Sequence, residues 1–415
     1  MTLKYSEIKK TVIEKLNEDQ LYRLAVVTHY LQVYGTPASE YYKDEALDFL
    51  GDADYVLEWD VPFPPADNAK FTFTDLFAGI GGIRLAFQNV GGKCVFSCEW
   101  DKFAKKTYEA NFGEVPFGDI TKIDAKRIPD HDILTAGFPC QAFSIAGRRG
   151  GFEDTRGTLF FEVARIIKEK RPKAFFLENV KGLVNHNGGK TLETILYVLR
   201  DELGYFVPDP ETVNAKDFGV PQNRERVFIV GFRKDTGVRE FKYPDPVPLN
   251  IRVGDILEKN PVSAKYYLSD RYLKTLIEHK NRHRSKGNGF GYEIIPLDGI
   301  ANAIVVGGMG RERNLVTDGR LTDFTPVTNI KGEVNKRYVR RMTPREWARL
   351  QGFPDSFVIP VSDAQAYKQF ANSVAVPAVQ AVAEKMAEKI TETERRKNSR
   401  DEGQQGRMER SVCFS

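Results

Sequence analysis

The stretch FTFTDLFAGIGG (residues 71–82) joins an apolar strand to a glycine-rich turn, and this pairing decides the fold class. The part FTFTDLF alternates apolar and polar side chains as a β-strand does, and the glycines after it predict a tight turn into a helix. Further strands are predicted at 93–100, 132–138, 173–180 and 225–232, with helices at 82–90, 101–111 and 158–170. This alternation of strands and helices predicts an α/β fold with a parallel sheet covered by helices on both faces.

Shifts in composition divide the chain into segments around this sheet. Residues before WDVPFPPADN (59–68) follow a helical period, and the prolines of that stretch end any regular element. After YPDPVP (243–248) the chain is rich in Gly and Asn turns, with few convincing helices. The predicted segments are a helical extension at 1–68, the sheet-bearing domain at 69–245, a smaller β-rich domain at 246–360, a helix returning to the large domain at 361–391 and a disordered tail at 392–415.

Composition excludes several classes of protein. The 415 residues carry 61 Lys and Arg against 57 Asp and Glu, and a 41% hydrophobic content is ordinary for a globular chain. No stretch approaches the ~18 consecutive apolar residues of a membrane span, and the N-terminus MTLKYSEIKK lacks the apolar core of a secretory signal. Four cysteines are too few for a disulfide framework. We therefore expect a cytoplasmic protein without a membrane partner.

The glycine-rich turn is the first candidate binding site. Glycines at 79, 81 and 82 allow a ligand to approach the backbone closely, but position 84 is Arg, so the dinucleotide fingerprint is incomplete. Glu99 ends the next strand, where an acid can bind ribose hydroxyls, and Asp119 and Ile120 could contact an adenine ring. The pattern favours a nucleoside cofactor without a pyrophosphate, although the glycines could also serve only as a tight turn.

A second group of candidates lies at the carboxyl ends of the other strands, where open α/β sheets bind ligands. Cys140 follows a strand within GFPCQ, Glu178 ends the next strand within ENV, and QNRER brings Arg224 and Arg226 to the same edge. These residue types suit a thiolate nucleophile with a general acid beside it. Taken singly, each has a simpler interpretation: a buried inert thiol, a solvated acid or a surface charge cluster. We predict no metal site, since Cys94 and Cys98 lack partners at zinc spacing.

Six motifs taken together are far more specific. DLFAGIGG, GFPCQ, ENV, QNRER, RRMTPREWARLQGFP and QFANSVAVP occur in this order over about residues 71–390. The set resembles the cytosine-carbon-5 DNA methyltransferase family. The resemblance implies a Rossmann-like S-adenosylmethionine-dependent methyltransferase domain and a smaller target-recognition domain at 246–360. Position 371 is Ala where many members of the family have Gly, a mild departure.

The resemblance also implies roles for particular residues. Cys140 would add to carbon 6 of a cytosine rotated out of the DNA duplex, and Glu178 would protonate ring nitrogen 3. Arg224 and Arg226 would help to hold the base, the thiolate and the phosphates. Contacts to S-adenosylmethionine are implied for Phe77, Gly79, Gly82, Glu99, Trp100, Asp119, Ile120, Pro139, Leu159, Asn372, Ser373 and Val374.

Double-stranded DNA is the implied partner, and the local charge of the chain agrees with it. Basic clusters at 271–286 and 331–349 would supply phosphate contacts. Ser144, Arg148 and Arg149 lie in a loop rich in Gly and Arg that could close on DNA, and we expect Arg311 and Arg313 to read bases. We further expect a monomer, and a restriction endonuclease acting on the same site is conceivable for such an enzyme. The stretch KGNGFGYE resembles members that act on CC-N-GG-type sites.

Three other functions stay open at the level of sequence. An RNA cytosine methyltransferase could share this fold, although the long span 245–335 favours the reading of duplex DNA. A non-catalytic DNA-binding protein could retain the scaffold, although intact Cys140, Glu178 and Arg226 argue against it. A thiol oxidoreductase would need a second cysteine near Cys140, which the sequence does not supply.

Overall fold

A computed structural model gives the architecture of the chain. It describes residues 2–15, 21–51, 56–139, 159–289, 291–307, 310–321 and 332–412. Within these ranges, no helix is both long enough and apolar enough to cross a membrane.

A seven-stranded sheet forms the centre of the large domain. Its parallel part consists of β3 (Phe71–Leu76), β4 (Gly92–Cys98), β5 (Ile133–Gly137) and β6 (Ala174–Val180), in the order β4-β3-β5-β6. The strands are buried on both faces, as their continuous apolar runs require. Their carboxyl ends therefore meet at one edge of the sheet, which is where the predicted site residues lie.

The remaining strands of this sheet are β7 (Tyr205–Phe206), β8 (Glu211–Asn214) and β10 (Glu225–Arg233), and β10 pairs with β6, β7 and β8. Of these three strands, only β10 runs antiparallel to the first four. The expectation that 225–232 extends the same sheet is confirmed, but the strand points opposite to the parallel set. Its amino end consequently lies beside the carboxyl end of β6.

Helices cover both faces of the sheet. On the large domain these are α4 (Gly82–Asn89), α5 (Lys102–Phe112), α6 (Leu159–Lys170) and α7 (Lys190–Tyr197). The start of α5 shows how the sequence fixes such a helix. The Asp101 carboxylate accepts hydrogen bonds from the backbone N–H groups of Phe103 and Ala104, and Gly113 ends the helix in the left-handed conformation.

The N-terminal segment is helical, as its sequence period predicts. It contains α1 (Tyr5–Lys15), α2 (Leu21–Val33) and α3 (Lys43–Leu50), together with a two-stranded sheet of β1 (Thr2–Lys4) and β2 (Val56–Glu58). Apolar side chains of these helices share one buried cluster with the outer face of the central sheet. The segment is therefore packed onto the large domain rather than standing apart from it.

The smaller domain contains short strands and one helix that the sequence did not reveal. A two-residue strand β9 (Gln222–Asn223) pairs with β11 (Ala301–Asn302), and β12 (Leu315–Thr317) pairs with β13 (Val339–Arg341). The helices of this region are α8 (Val253–Ile256), α9 (Asp270–Ser285) and α10 (Pro344–Leu350). Helix α9 was missed because only Leu273 and Leu276 are buried, so its apolar period is weak.

Two helices return the chain to the large domain. They are α11 (Asp363–Asn372) and α12 (Val376–Val412). The sequence predicts a disordered tail at 392–415, whereas α12 extends to Val412 in the structure, and residues 413–415 lie outside the described residues.

Candidate active site

The glycine-rich turn between β3 and α4 has a backbone that few other residues could adopt. Phe77, Gly79 and Gly81 all have positive φ, at 55°, 55° and 83° respectively. A Cβ atom built on Gly81 would lie 2.2 Å from Cε2 of Phe112. A non-glycine residue with positive φ is strained, and such strain concentrates at functional sites. The turn therefore exposes backbone to a ligand on one side and packs tightly against α5 on the other.

Glu99 fixes this turn to the end of the neighbouring strand. One carboxylate oxygen accepts a hydrogen bond of 2.8 Å from the Gly79 N–H group, and the other accepts one of 2.8 Å from the Asp101 N–H group. Burial raises the pKa of the Glu99 carboxyl, and these backbone hydrogen bonds oppose the shift. The free lone pairs of this carboxylate face a cavity beside the turn, where they could accept hydrogen bonds from ligand hydroxyls.

That cavity has a volume of about 650 Å³ and lies at the carboxyl edge of the parallel strands. Its lining is mainly apolar, with a few polar groups at defined positions, as in most small-molecule sites. The structure brings together every residue for which the resemblance implies a cofactor contact. These are Phe77, Gly79, Gly82, Glu99, Trp100, Asp119, Ile120, Pro139, Leu159, Asn372, Ser373 and Val374.

One wall of the cavity comes from α11, of which the sequence analysis named only the last residue, Asn372, as a cofactor contact. Gln365, Lys368 and Gln369 lie on one face of this helix and line the cavity. Their spacing of three and four residues was the available signal, because it places three polar side chains together. Oε1 of Gln365 and Nε2 of Gln369 are buried without a hydrogen-bond partner among the residues that the structure describes. Such groups require a partner, and a polar ligand would provide one.

These observations test whether S-adenosylmethionine suits the cavity. The ligand combines an adenine ring, ribose hydroxyls and an amino-acid group. The Trp100 side chain, 82% exposed at the cavity, offers an aromatic face for a ring, and Glu99 offers acceptors for hydroxyls. The unpartnered amides of Gln365 and Gln369 offer a donor and an acceptor for polar groups. The residues present therefore fit this cofactor.

Glu178 and Arg226 form the charged part of the same cavity. Strand register places Glu178 directly beside Gly137, and its carboxylate lies 3.0 Å from the Nε atom of Arg226. The two side chains are only 12% and 18% exposed. Burial raises the pKa of the Glu178 carboxyl, and Arg226 opposes that shift. A carboxyl with a raised pKa beside a ligand cavity is suited to donate a proton.

Arg224 is held by backbone carbonyls. Its guanidinium is buried and donates hydrogen bonds to three backbone carbonyls, those of Ile304 at 2.8 Å, Ala371 at 2.9 Å and Ser373 at 2.6 Å. Unlike Arg226, it is not part of the cavity lining. The expectation that Arg224 helps to hold the base stays a prediction. Its contacts link the strand that carries Arg226 to the smaller domain at Ile304 and to the end of α11 at Ala371 and Ser373.

Four predicted site residues lie outside the described residues. They are Cys140 and the three loop residues Ser144, Arg148 and Arg149. The last residue described before them is Pro139, the first one after them is Leu159, and both line the cavity. The amide of Asn179 donates a hydrogen bond of 2.9 Å to the Phe138 carbonyl. This bond holds the end of β5, two residues before Cys140, against the strand end that carries Glu178.

Arg311 and Arg313 are both exposed, while their neighbours Glu312 and Asn314 are buried. The guanidinium of Arg311 lies over the ring of Tyr367 on α11, 5.4 Å from its centroid. The buried neighbours anchor the turn, so the two arginines project from a fixed backbone. This arrangement is available for contact with a nucleic acid.

The two basic clusters differ in their exposure. The cluster at 271–286 lies mainly on α9, and its lysines and arginines are exposed. Much of the cluster at 331–349 is instead used inside the fold, which corrects the expectation of phosphate contacts there. Arg340 is fully buried between Asp318 and Glu346, and Arg341 pairs with Glu312.

Cys94 and Cys98 are free and fully buried thiols. Burial raises the pKa of both thiols, so neither is a thiolate at neutral pH. In the described part of the chain, no group of three or more His, Cys, Asp or Glu residues is placed to hold a metal ion.

Comparison with known proteins points to one family. Residues 71–388 match the family model described as C-5 cytosine-specific DNA methylase. The chain is 70% identical over 334 residues to "Type II methyltransferase M.HpaII" of Haemophilus parainfluenzae, covering 79% of this chain and 93% of that protein. It is 51% identical over 338 residues to "Type II methyltransferase M1.ScrFI" of Lactococcus lactis subsp. cremoris, covering 80% and 82%.

Solved structures of similar fold agree with this result at the level of architecture. The Schizosaccharomyces pombe Dnmt2 methyltransferase aligns with a TM-score of 0.56 and 19% identity, over 75% of this chain and 96% of that one. A putative DNA modification methyltransferase encoded within a prophage of Escherichia coli aligns with a TM-score of 0.53 and 21% identity, over 77% and 99%.

Proposed function

Because the chain belongs to the C-5 cytosine-specific DNA methylase family, we propose that its cavity is the methyl-transfer site and that Cys140 and Glu178 carry the reaction there. The family membership itself confirms the resemblance drawn from the six motifs. The protein is a DNA (cytosine-5-)-methyltransferase that uses S-adenosylmethionine. The membership also favours this function over an RNA methyltransferase, a non-catalytic DNA-binding protein or a thiol oxidoreductase.

The single observation that carries the residue assignment is the position of Glu178. It lies beside Gly137 in strand register and in the same cavity as Pro139, the residue before Cys140. A cytosine that reaches Cys140 would therefore meet the Glu178 carboxyl. A base stacked in a duplex cannot enter such a cavity, so the target cytosine has to be rotated out, at a cost of a few kcal/mol.

The proposed chemistry balances with these two side chains. The Cys140 thiolate forms a bond to carbon 6, the double bond between carbons 5 and 6 becomes an enamine, and Glu178 donates a proton to ring nitrogen 3. The cofactor supplies an electrophilic methyl group, which carbon 5 accepts. A base then removes the proton from carbon 5, the electrons of that bond expel the thiolate, and ring nitrogen 3 returns its proton to the Glu178 carboxylate. General-acid assistance of the kind given by Glu178 contributes typically 100- to 10,000-fold.

We assign Arg226 and Arg224 to support of this chemistry. Arg226 holds the Glu178 carboxyl in one orientation through the 3.0 Å contact and lowers the cost of its negative charge after proton transfer. Arg224 acts one step away, by fixing the backbone of Ala371 and Ser373 at the cavity wall. The remaining lining residues, above all Glu99, Trp100 and Gln365, would bind the cofactor and keep water from the reacting atoms.

We assign DNA contacts to three parts of the chain. The exposed cations of α9 would approach phosphates, whereas Arg311 and Arg313 would reach base edges. Ser144, Arg148 and Arg149 would contact the DNA around the extruded base. The similar enzymes are named as type II methyltransferases, so we propose that this enzyme protects DNA at the site of a cognate restriction endonuclease. We further propose that it acts as a monomer in the cytoplasm. Bisulfite sequencing of methylated plasmid DNA would identify that site.

A covalent trap tests the assignment of the nucleophile. DNA containing 5-fluorocytosine lacks the carbon-5 proton, so an active thiolate stays attached after methyl transfer. We expect the wild-type protein with S-adenosylmethionine to form a complex that survives denaturing electrophoresis, and Cys140→Ser to form none. Cys94→Ala is the matched control, because it removes a buried thiol of the same domain that is not among the cavity-lining residues, and it should still be trapped. Trapping of Cys140→Ser at the wild-type level would refute the assignment.

A further inference from the structure

The contact between the N-terminal helices and the large domain is polar at its centre. Arg84 on α4 and Glu114 after α5 are both fully buried and 2.9 Å apart. His29 on α2 lies 3.3 Å from the same carboxylate and accepts a hydrogen bond of 3.1 Å from the Ser97 N–H group. Burial raises the pKa of Glu114, but the Arg84 guanidinium and a hydrogen bond from the Ser97 hydroxyl hold it below its ordinary value. The carboxylate is therefore charged, and the N-terminal segment supplies part of its environment.

Gln32, one helical turn after His29, connects this network to α5. Its side-chain oxygen accepts a hydrogen bond of 2.8 Å from Nη2 of Arg84, and its side-chain nitrogen donates one of 2.6 Å to the Phe112 carbonyl. Both atoms of the amide are thus used, and both partners belong to the large domain. Gln32 itself is buried, so no water could replace either bond without opening the contact.

The route from Gln32 to the glycine-rich turn is short. The Arg84 guanidinium lies over the Phe112 ring, 4.6 Å from its centroid, and Arg84 belongs to the helix that begins directly after the turn. On its other side, the Phe112 ring occupies the space in which a Cβ atom of Gly81 would lie. A shift of Phe112 or Arg84 would therefore move the turn that forms the floor of the cavity.

The opposite side of α5 is fastened as well. The Thr107 hydroxyl donates a hydrogen bond of 3.0 Å to Gln369, which lines the cavity, and the Asn111 side chain bonds to the Val358 backbone at 2.9 and 2.8 Å. Because α5 is held from the far side by these contacts, the N-terminal helix determines where its last turn lies. Removal of Gln32 would leave a buried guanidinium and a buried carbonyl each short of a partner.

We infer that Gln32 is a positioning residue for the methyl-donor site, and that the N-terminal segment 2–51 is a structural part of that site rather than a separable module. The inference rests on the proposed assignment of the cavity to S-adenosylmethionine. It goes beyond the family motifs, which begin at residue 71. The segment acts through Phe112, Arg84 and Gly81, without touching the cofactor.

Gln32→Met tests the inference, because it keeps the length of the side chain and removes both hydrogen bonds. We expect the dissociation constant for S-adenosylmethionine, measured calorimetrically, to rise about 5- to 20-fold, as expected for a modest coupling between sites. At saturating cofactor, kcat should stay within about 2-fold of wild type, so the loss falls on the cofactor KM. Affinity for duplex DNA should not change.

Tyr42→Phe is the matched control. The Tyr42 hydroxyl also joins the N-terminal segment to the sheet, through a buried hydrogen bond of 2.7 Å to the Val95 carbonyl, and this partner lies on β4 rather than on α5 or the turn. This variant should lose comparable stability and keep wild-type cofactor affinity. Equal cofactor affinity in folded Gln32→Met and Tyr42→Phe would overturn the inference.

If Gln32→Met does not fold, hydrogen exchange in the wild-type protein tests the coupling between Gln32 and the cofactor site. Addition of S-adenosylmethionine should slow exchange of the α2 amides around Gln32, because a coupled contact is stabilised by a ligand that holds the turn. Binding of the cofactor without any such slowing would overturn the inference and leave the proposed function intact. A wild-type protein that binds no S-adenosylmethionine would instead contradict the cavity assignment itself.

Discussion

Replacement of Arg226 by Met should destabilise the protein in a way that depends on pH. In the wild-type chain, Nε of Arg226 lies 3.0 Å from a Glu178 carboxylate that is only 12% exposed. Removing one partner of a buried ion pair costs about 3–5 kcal/mol when the other stays charged. Both side chains keep some exposure and Arg224 also lowers the pKa of Glu178, so we expect a cost below this range, about 2–3 kcal/mol, at pH 8.5.

The carboxyl can escape this penalty by binding a proton. Burial already raises the pKa of Glu178, and loss of the opposing Arg226 would raise it further. At a pH between the pKa of Glu178 in the unfolded chain and its raised pKa in the folded variant, only the folded variant holds the proton. The stability of the variant therefore falls as pH rises through this window. Below that window both states are protonated. The destabilisation caused by Arg226→Met should therefore shrink below about 1 kcal/mol at pH 5.5. Between pH 5.5 and 8.5 the unfolding free energy of the variant should change by up to ~1.4 kcal/mol per pH unit.

Urea denaturation followed by circular dichroism between pH 5.5 and 8.5 measures this effect. Adding Glu178→Gln to Arg226→Met removes the titrating carboxyl and should restore most of the lost stability at pH 8.5. Lys181→Met is the exposed control, because the pair of Lys181 and Glu225 is 2.8 Å long but 55% and 40% exposed, and its loss should cost less than about 0.5 kcal/mol. A destabilisation by Arg226→Met that is equal at both ends of the pH range would refute the reasoning.

Two further outcomes follow from the geometry. Gly81→Ala should cost about 2–4 kcal/mol in urea denaturation and weaken cofactor binding, because its Cβ atom would lie 2.2 Å from the Phe112 ring at a φ of 83°. Gly79→Ala should cost only about 1–2 kcal/mol, because its Cβ atom at a φ of 55° would meet no heavy atom within 4 Å. Equal costs for the two variants would contradict this explanation. Burial lowers the pKa of His131 to about 4, so the unfolded chain binds a proton that the folded chain excludes and stability should fall by up to about 3 kcal/mol between pH 6.5 and 4. His131→Gln should make the unfolding free energy depend less on pH between 6.5 and 4. An unchanged slope would contradict the role given to His131.

The sequence predicted the parallel part of the fold well because its signals are local. Strands β3 to β6 are short apolar runs that end in Gly, Pro or acidic residues, and a buried parallel strand needs no more than that. Their common direction then places Gly79, Glu99, Pro139 and Glu178 at one edge without further information. The cavity of the structure contains all four.

Features that depend on distant partners could not be predicted. The sequence gives no sign that β10 runs antiparallel, or that Arg224 bonds to carbonyls 80 to 149 residues away. The role of the N-terminal segment was hidden for the same reason, since Gln32 contacts positions 52 and 80 residues further along the chain. A weak signal existed in α2, where His29 and Gln32 interrupt an otherwise apolar helix. Polar residues at such positions have to find buried partners.

The two arginines of QNRER show how one strand can serve both the chemistry and the architecture. Residues two apart in an extended chain face the same side, yet of these two arginines only Arg226 lines the cavity. Arg226 lies opposite Val180 in the register with β6 and therefore reaches Glu178. Arg224 precedes β10 and lies beyond the end of β6, where the nearest acceptors are the carbonyls of Ala371 and Ser373. Any displacement of this strand would consequently move Arg226 and the backbone of Ala371 and Ser373 together, so the proposed proton donor and the proposed cofactor wall stay aligned.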